Sequence, residues 1–557
     1  MATVAAKTVL ILGAGFAGIS LAKELSRLTK KDRTLEIHLV NQENYFVFQP
    51  MLPEVVSCAI EPSHILNPIR HLCPNVHVHQ ATISGIDLET RQVTMVGTDS
   101  RRPRKLLYDH LVLSLGLTMN LAAVPGMAEH ALPLKTLGDA FHLRNHVLSR
   151  LEEADGEPDS EMRKAILTFV TIGGGFSGVE TMAALNDMVK TVLPFYPLAL
   201  ATGTRMILIH SRESILNELE HELAQFAQQK LMERGVECRL RTTVKEITPN
   251  DVVLSTGEHV SARTVICTVG NAPHPLMAQL HLPQDRGRIL VEATMQVKDT
   301  PNVWALGDAA LVPDVSRGGW CPPTAQYAMR QGKQAARNIL AAVLGQSLRN
   351  FHFKGLGQMA VVGRHCGVAQ IGGWKISGVL AWMLWRGVYL MKLPGLPCKV
   401  RVALDWIMEL VFPRDITKVD LQRTEHLKHA HFQKGEIIIR EGEIGDRFYI
   451  IESGEVEIVH QEPGQPEQQL ALRSTGDSFG ELALLKDAPR AATVRCLTAV
   501  DVIMFNRKDF LTLVGSYHLF RHHMNRETTA VAESQKNQKS ITSLRLETDK
   551  SVVVGKS

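Results

Sequence analysis

The chain has 557 residues, and at roughly 100–200 residues per domain it should form about three to four domains. Its 45% hydrophobic and 21% charged residues are typical of a globular protein, and a net charge of only +4 gives little support to a nucleic-acid partner. The eight cysteines form no C-x-x-C pair, which argues against a metal cluster and against a redox-active disulfide.

The first predicted unit is a strand, a glycine-rich turn and a helix. Residues 8–12 are apolar and typical of a buried strand, and the turn GAGFAG at 13–18 opens a helical pattern. Gly13 permits the tight turn, Gly15 lets the backbone approach a pyrophosphate, and Gly18 lets the helix pack closely on the strand. The helix start presents free N–H groups to the phosphates. The alternative is a glycine-rich turn that binds no ligand.

The residue expected to contact the ribose of this first dinucleotide is unusual. The second strand, residues 36–40, ends at Asn41, where an Asp or Glu normally binds the ribose hydroxyls. An amide makes the same hydrogen bond less strongly than a carboxylate. The N-terminal residues before the first strand lack a basic region followed by an apolar run, so we expect no secretory signal.

The same pattern returns about 160 residues later. Residues 166–172 are predicted to form a strand and residues 179–189 a helix, with the turn GGGFSG between them. Its three glycines, Gly173, Gly175 and Gly178, stand at the fingerprint spacing. Two complete fingerprints in the right context are far more specific than one, so the chain is expected to bind two dinucleotides.

The second strand of this second unit, residues 205–209, is followed by His210, Ser211 and Arg212. An acid here would favour NADH through its 2′-hydroxyl, whereas a cation accommodates the 2′-phosphate of NADPH. The sequence therefore predicts weak discrimination against NADPH. The alternative is that Arg212 is an ordinary solvated surface residue.

Three further segments carry a resemblance to a known superfamily. Residues 108–116 end in Gly116, residues 264–270 end in Gly270, and residues 303–310 contain Gly307-Asp308. They resemble, in turn, the strand that closes the first FAD segment, its counterpart in the NAD domain, and the late motif whose Asp contacts the FAD ribityl chain. Together they are similar to the two-dinucleotide-binding-domain flavoproteins. The resemblance implies FAD as the cofactor and NADH or NADPH as the substrate.

Residues 44–55, 134–136 and 322–332 narrow this resemblance to type II NADH:quinone oxidoreductases. It implies an enzyme that passes two electrons from NAD(P)H through FAD to a quinone without pumping protons. It also implies that Glu180 lies near the flavin and that Gln326 and Gln331 line the quinone site on a helix. The alternatives are a first-turn acid that complements the helix dipole for Glu180, and ordinary polar helix positions for the two glutamines. Lys135 is either a charge near the flavin or a surface lysine.

Two competing functions remain open. A sulfide:quinone oxidoreductase uses a pair of reactive cysteines near the flavin, and this chain has no cysteine between Cys73 and Cys238, which disfavours it. A redox- and nucleotide-sensing regulatory flavoprotein with little turnover is the second, and the quinone-site resemblance disfavours it. Metal binding has little support, because His77 and His79 have no Cys or acid at ligand spacing, and we expect these histidines to be structural.

The segment 374–420 is predicted to associate with a membrane surface. Within it stand four of the six tryptophans and, between 374 and 402, five basic residues with no acid. Trp prefers the headgroup level and Lys and Arg suit anionic lipids. Because charge interrupts the apolar pieces, we expect helices lying in the interface and no spanning helix. The alternative is a dimer or domain interface. These residues are Trp374, Trp382, Trp385 and Trp406, with Lys375, Arg386, Lys392, Lys399 and Arg401.

After a predicted linker at 420–431, short alternating strands predict an all-β jelly roll. Residues 479–494, FGELALLKDAPRAATV, closely resemble the phosphate-binding cassette of cyclic-nucleotide-binding domains. The resemblance implies that Gly480 and Arg490 hold the cyclic phosphate and that Glu481 accepts from the ribose 2′-hydroxyl. In that family a Thr after the Arg favours cGMP, so Ala491 points to cAMP. The alternative is a ligand-free domain used for assembly.

The predicted architecture is therefore α/β with two Rossmann-like domains, an amphipathic segment and an all-β domain. The domains are FAD-binding at 7–125 and 296–373, NAD(P)H-binding at 126–295, membrane association at 374–420, cyclic-nucleotide-binding at 421–523 and a disordered tail at 524–557. The expected partners are a quinone, a membrane surface, a cyclic nucleotide and, in a homodimer, a second copy. The expected location is peripheral, on the cytoplasmic face of the inner membrane.

Overall fold

The computed structural model describes residues 6–30, 34–97, 103–418, 428–443, 447–461, 467–486, 489–506 and 510. The chain forms two compact units, Met1–Val419 and Asp420–Ser557. The predicted tail at 524–557 lies outside the described residues. The α/β class is confirmed for the first unit and the β-rich class for the second.

A seven-stranded sheet in the order β21-β8-β1-β2-β5-β6-β7 organises the first dinucleotide region. β1 pairs in parallel with β2 and β8, and its residues Val9–Leu12 have no exposed surface, because helices and loops cover both faces of a parallel sheet. The elements are β1 (Lys7–Leu12), α1 (Phe16–Leu28), β2 (Leu35–Asn41), β3 (Tyr45–Val47), α2 (Leu52–Val56), β4 (Leu66–Pro68), α3 (Ile69–Leu72), β5 (His77–Asp87), β6 (Gln92–Gly97), β7 (Pro103–Leu107), β8 (His110–Leu113), β9 (Leu117–Met119) and α4 (Met127–His130).

The second region is a five-stranded parallel sheet in the order β10-β17-β11-β12-β13. The strand predicted at 166 begins at Thr168, because helix α6, capped by Asp159, continues to Ile166. The elements are β10 (Ala131–Pro133), α5 (Leu137–Gly156), α6 (Ser160–Ile166), β11 (Thr168–Ile172), α7 (Phe176–Val192), α8 (Pro197–Thr202), β12 (Arg205–Ile209), α9 (His221–Glu233), β13 (Val236–Arg239), β14 (Val244–Ile247), β15 (Asp251–Leu254), β16 (His259–Ser261), β17 (Thr264–Cys267), β18 (Asn271–Pro273) and α10 (Pro275–Ala278).

The chain then returns to the first sheet through β21, and a long helix packs across α1. Gly332 makes this approach possible, because a Cβ there would lie 2.4 Å from the Ala17 carbonyl oxygen of α1. The elements are β19 (Gln284–Asp285), β20 (Arg288–Leu290), β21 (Val303–Ala305), β22 (Ala310–Leu311), α11 (Ala325–Val343), β23 (Gln358–Val361), β24 (Gly367–Ile371), β25 (Trp374–Gly378), α12 (Val379–Lys392) and α13 (Leu396–Val411).

The segment predicted as interfacial is thus a strand followed by two helices, and its interior differs from the expectation. Trp385 and Trp406 are buried, and Arg386 points inward to a 2.8 Å ion pair with Glu409. Lys375 pairs with Glu220 and Glu222 of the second region. Trp385, Trp406 and Arg386 are therefore not headgroup anchors, because their polar atoms bond inside the protein, whereas Lys375 pairs with acids at the surface. Within the described ranges, no helix has the length and apolar character needed to cross a bilayer.

The second unit contains two four-stranded sheets, β26-β33-β28-β31 and β27-β32-β29-β30, paired antiparallel. Inward residues such as Ile451, Val456 and Val502 form its core. The predicted linker was too long, because its end is strand β26. The elements are β26 (Lys428–Phe432), β27 (Ile437–Ile439), β28 (Arg447–Ser453), β29 (Glu455–His460), β30 (Gln468–Ser474), β31 (Ser478–Phe479), α14 (Glu481–Lys486), β32 (Thr493–Cys496) and β33 (Val500–Asn506).

Candidate functional site

A cavity of about 670 Å³ lies at the carboxyl ends of the parallel strands β1, β2, β8 and β21. We call it the flavin cavity, after the FAD that the sequence resemblance implies. The first glycine-rich turn lines it together with Gly116, Gly307 and Asp308. Phe176 and Ser177, from the first turn of α7 in the second region, line it as well. Strand ends in open α/β sheets form ligand crevices, and residues of both glycine-rich turns line this one cavity.

The first turn has the geometry of a pyrophosphate cradle. Gly13 has φ +96°, and a Cβ there would lie 2.6 Å from the Ser114 carbonyl oxygen. A Cβ on Gly18 would lie 2.0 Å from the Gly13 carbonyl oxygen. A Cβ on Gly15, by contrast, would meet no protein atom within 4 Å, and no side chain caps α1 after it. The open side of Gly15 and the free N–H groups fit the pyrophosphate of FAD.

The second turn repeats this geometry. Gly173 has φ +118° with a Cβ position 2.5 Å from the Thr268 hydroxyl, and a Cβ on Gly178 would lie 1.8 Å from the Gly173 carbonyl oxygen. Gly175 is again open and precedes a helix that no side chain caps. Gly270, at φ +84°, stands where a Cβ would lie 2.7 Å from the Asn120 carbonyl oxygen. The residues therefore fit a second dinucleotide at the start of α7.

Asn41 and His210 occupy equivalent places and brace the two turns. Asn41 Oδ1 accepts from the Ala14 N–H at 2.9 Å, and His210 Nδ1 accepts from the Gly174 N–H at 3.1 Å. Burial, and then the charge of Arg212, lower the pKa of His210, which keeps its ring neutral and able to accept. Arg212 itself is exposed. Both predicted ribose contacts thus also have a structural task.

Asp308 and Lys135 face the flavin cavity from different elements. Burial raises the pKa of Asp308, and the charge of Lys135 opposes that rise. Lys135 is fixed at the start of α5 by a capping box, in which Thr136 and Asp139 exchange hydrogen bonds. This geometry supports the interpretation of Lys135 as a cofactor-side charge.

The two glutamines of α11 bond to protein groups. Gln331 is buried, and its Oε1 accepts from the Gly307 N–H at 2.8 Å, which holds the Gly-Asp motif. Gln326 donates to the Gly357 carbonyl at 3.2 Å and accepts from the Leu356 N–H at 3.0 Å. Neither lines the flavin cavity, whereas their helix neighbours Ala325 and Ala328 do. To contact a quinone, as the sequence predicts, each glutamine would have to bond to the quinone in addition to these protein groups or in place of them.

Glu180 is a buried acid of the site whose pKa is strongly raised. It is buried on α7, lines the flavin cavity, and its Oε1 accepts from the Val361 N–H at 3.1 Å and the Trp385 indole N–H at 3.0 Å. Its pKa is raised to about 8, mainly by burial and also by the neighbouring charge of Glu54, while the two hydrogen bonds oppose the rise. Near neutral pH this carboxyl holds a proton beside the flavin cavity.

Glu54 is a second buried carboxyl, close to the first. Burial raises its pKa to about 7, against the charge of Arg386 and a 2.7 Å hydrogen bond from the Trp406 indole. A small cavity of about 40 Å³ touches both Glu54 and Glu180, and Arg386, Glu409 and Arg414 line it too. This volume is large enough for a water molecule, and the charged side chains in its lining offer hydrogen-bond partners. Glu54 and Glu180, the buried carboxyl pair below, therefore share a cavity suited to proton exchange.

Sequence reasoning missed Glu54 and the partners of the pair. A usable signal was present, since Glu54 is the sole charge in the apolar run 50–56, and a lone acid in such a run is either paired or perturbed when it folds inward. The tryptophans carried a misleading signal. Trp385 and Trp406 belong to a tryptophan-rich segment typical of a membrane interface, but their indole N–H groups donate to Glu180 and Glu54.

In the second unit the cassette residues come together around Gly480. Arg490 is buried and donates to the carbonyls of Gly480 at 2.8 Å and Arg447 at 2.7 Å. Gly480 has φ +92°, and Glu481, also buried, opens the short helix α14. Ala491 follows on the exposed side. The predicted phosphate, ribose and selectivity positions are thus adjacent in space.

The described cysteines and the histidines of β5 lie outside the lining of the flavin cavity. No cysteine lines the flavin cavity, and burial raises the pKa of the nearby Cys321 to about 11. The histidines of β5 do have an acid neighbour, since Glu36 lies 3.7 Å from His77, which the sequence spacing did not reveal. Among the described residues these side chains do not form a metal-binding group.

Comparison with known proteins places these features in a family. The pyridine nucleotide-disulphide oxidoreductase family matches residues 7–332, the NDH2 C-terminal domain matches 356–415, and the cyclic nucleotide-binding domain matches 429–517. The demethylphylloquinone reductase NdbB of Synechocystis is 34% identical over 404 residues, covering 71% of this chain and 95% of the relative. The type II NADH:quinone oxidoreductase Ndh of Mycobacterium tuberculosis is 29% identical over 424 residues, covering 73% and 88%.

A solved structure, NDH2 from Plasmodium falciparum in complex with NADH, has the same fold, with a TM-score of 0.69 at 18% identity, and covers 74% of this chain and all of that one. The matches extend over the flavin cavity, the second glycine-rich turn and helices α12 and α13. The cassette lies in the separately matched C-terminal region. The chain therefore belongs to the type II NADH:quinone oxidoreductases, within the pyridine nucleotide-disulphide oxidoreductase family, and carries a cyclic nucleotide-binding domain after the catalytic unit.

Proposed function

We propose that the first unit oxidises NADH at the second glycine-rich turn and reduces a quinone at the flavin cavity, with the buried carboxyl pair supplying a proton. The single observation that carries this is that both helix starts and Glu180 line one cavity. Bound FAD would take the hydride from the nicotinamide and pass two electrons on. The test is NADH-driven reduction of a soluble short-chain quinone by the purified yellow protein, and a protein without such turnover would favour the sensor function.

The protein's own groups then have distinct tasks in this proposal. Gly15 and Gly175 allow the phosphates to approach, and the N–H groups of α1 and α7 hold them. Quinone reduction consumes two protons, and Glu180 is the carboxyl nearest to the reaction that is protonated near neutral pH. Glu54 and water in the small cavity return the proton to it. Gln331 keeps Gly307 and Asp308 in position for the flavin.

Arg212 is proposed to bind the 2′-phosphate of NADPH. It is an exposed cation shortly after the end of β12, where the ribose is expected to lie. We expect Arg212→Ala to lower kcat/KM for NADPH about fivefold relative to NADH, as one exposed charge contact is worth about 1 kcal/mol. Steady-state kinetics with both substrates measures this. Arg241→Ala, which removes a nearby exposed arginine paired with Glu213, is the matched control. An unchanged ratio would leave Arg212 as solvated surface.

We further propose that α12 and α13 seat the first unit peripherally on a membrane, on the side where NADH is supplied. One face of α13 packs inward through Cys398, Val402 and Trp406. The opposite face exposes large apolar side chains at helical spacing, and contiguous exposed apolar surface of this kind marks an interaction site. These exposed side chains are Leu396, Val400, Leu404, Ile407, Met408 and Val411 on α13, with Val379, Leu380, Met383 and Met391 on α12.

The apolar face predicts a specific loss of membrane binding. The double substitution Leu404→Glu and Val411→Glu should abolish flotation with liposomes, since burying each aliphatic side chain contributes about 1.5–3 kcal/mol. Leu107→Glu with Leu472→Glu, at equally exposed apolar positions elsewhere, is the control and should float like wild type. If the α13 variant still floats but loses self-association on size-exclusion chromatography, the face is a dimer interface.

The second unit is proposed to bind cAMP, with Arg490 at the cyclic phosphate and Glu481 at the ribose. Both side chains are buried at one glycine turn, which supports a recognition site, and the exposed Ala491 lacks the hydroxyl that favours cGMP in the family. The nucleotide would modulate turnover only if it binds one conformation more tightly than another.

Arg490→Lys is expected to weaken cAMP binding about 10- to 100-fold, because a charge-assisted bidentate contact becomes a single point contact. Isothermal titration calorimetry measures this, and quinone turnover with saturating cAMP tests the modulation. Ala491→Thr is the companion variant and should shift the preference toward cGMP. Wild-type protein that binds neither nucleotide would make the domain an assembly module.

A further inference from the structure

A second cavity of about 670 Å³, the basic cavity below, lies where α1, α11 and the connection from α12 to α13 meet. Phe16, Ile19, Phe46 and Met329 give it apolar walls. Residues 391–396 form one side of the cavity. The first and last of them, Met391 and Leu396, are 72% and 73% exposed. The basic cavity therefore adjoins the exposed apolar face assigned above to the membrane.

The charged residues of this cavity are strongly unbalanced. Five cations line it against one acid, Glu24, which is already held by Arg27 at 2.9 Å and Arg337 at 3.1 Å. Burial, and then the charge of Arg330, lower the pKa of Lys392. The cations are Lys23 and Arg27 from α1, Lys333 from α11, and Lys392 and Lys399 from α12 and α13.

In the part of the chain that the structure describes, the lysines that α1 and α11 contribute to this cavity have no ion-pair partner. Lys23 and Lys333 are exposed, and in the described part of the chain no carboxylate lies within ion-pair distance of either. Lys399 turns its ammonium to the Met391 carbonyl at 2.8 Å, beside the exposed apolar end. The cations come from helices that are far apart in sequence, and they surround apolar walls. Such a cavity suits a molecule with an anionic head and an apolar body.

We propose that the basic cavity binds the phosphate headgroup of an anionic phospholipid, with Lys23 and Lys333 as its principal cations and Met391 and Leu396 against the acyl chains. The proposal rests on the membrane seating given under Proposed function and names the lipid class. A neutral quinone ring has no need of five cations, whereas a phosphodiester gains from each. A phosphate held here would also fix the depth of α12 and α13 in the bilayer.

The test uses the full-length flavoprotein and vesicles of phosphatidylcholine, alone or mixed in equal parts with phosphatidylglycerol. Wild type should bind the mixed vesicles more tightly than the neutral ones. Lys23→Gln with Lys333→Gln should lose about 25-fold of that preference, at about fivefold per lysine, and still float with neutral vesicles. Lys23→Arg with Lys333→Arg should keep the preference. Lys245→Gln, at an exposed lysine of β14, is the single-charge control and should match wild type.

Three outcomes would overturn the assignment. An unchanged preference in the double glutamine variant would show that the cavity does not hold the lipid. Equal displacement of short-chain phosphatidylglycerol by inorganic phosphate would identify free phosphate as the ligand. A raised KM for soluble quinone in the double variant, without a change in lipid preference, would assign the cavity to the quinone.

Failure of the membrane seating itself is separable from these outcomes. If wild type floats with no vesicle, calorimetric titration with short-chain phosphatidylglycerol still tests the cavity in solution. Binding by wild type and its loss in the double glutamine variant would keep the site while removing the apolar face from the membrane.

Discussion

Glu180→Gln is expected to lower NADH:quinone turnover on the order of 100-fold at neutral pH, because an amide keeps the shape of the protonated carboxyl but cannot give up its proton. The amide oxygen of the substituted side chain can still accept from the Val361 and Trp385 N–H groups, so the fold should remain. Anaerobic reduction of the flavin by NADH, a half-reaction that needs no proton from this carboxyl, is the internal control and should change little.

The pH dependence adds a directional check. Wild-type turnover should fall as pH rises through about 8, where Glu180 loses its proton, and the glutamine variant should lack this fall. Glu54→Gln removes a charge that raises the pKa of Glu180, so the fall should move to lower pH. A Glu180→Gln enzyme with wild-type turnover and an unchanged profile would exclude Glu180 as the proton donor.

Stability gives a readout that does not depend on activity. In the folded protein the pKa of Glu180 lies above its usual value of 4.5. Its contribution to the free energy of unfolding is therefore greatest below pH 4.5 and is lost as pH rises toward about 8. Glu180→Gln removes this loss. The melting temperature of the variant relative to wild type should therefore increase between pH 5 and pH 8, and a constant difference would contradict the raised pKa.

Gly15→Ala and Gly175→Ala should separate the two dinucleotide sites. Each added methyl enters open space in the protein, so both variants should fold, but each methyl stands where a pyrophosphate must approach. Losing one or two charge-assisted hydrogen bonds weakens binding about 10- to 100-fold. We expect Gly15→Ala to be purified with little flavin, and Gly175→Ala to be yellow with a KM for NADH raised about tenfold or more.

Absorbance of the purified proteins and steady-state kinetics measure both effects. Gly18→Ala is the contrasting variant, since its methyl would lie 2.0 Å from the Gly13 carbonyl oxygen and should destabilise the fold itself. If Gly15→Ala retains full flavin while Gly175→Ala loses it, the assignment of the two turns is reversed.

The parts of this protein that sequence could predict are those with a local cause. A glycine that must accept a positive φ, or admit a neighbouring carbonyl, cannot be replaced by another residue type, so Gly13, Gly18, Gly173 and Gly178 mark both turns directly. The parallel strands beside them follow from continuous apolar runs. The cassette around Arg490 is likewise contiguous in sequence.

The rest depends on contacts between distant segments. Nothing within 44–55 indicates that Glu54 will meet Trp406, which lies more than 350 residues later and supplies its hydrogen bond. The basic cavity draws its cations from α1, α11 and α12–α13, so no spacing within one segment reveals it. Arg386 likewise looks like a surface charge in sequence, and only the fold places it against Glu409.

The position of Arg386 also limits how the exposed apolar face of α12 and α13 can be removed. Its guanidinium lies 4.1 Å from the Trp382 ring and 4.8 Å from the Trp406 ring, and it bonds Glu409, so it ties the two apolar helices to each other and to Glu54. Tyr389 of the first helix is also a wall of the flavin cavity. Deleting these helices would therefore remove a wall of the flavin cavity and a hydrogen-bond donor to Glu180. The apolar face has to be removed by substituting its outward-facing side chains, because shortening the chain would damage the site.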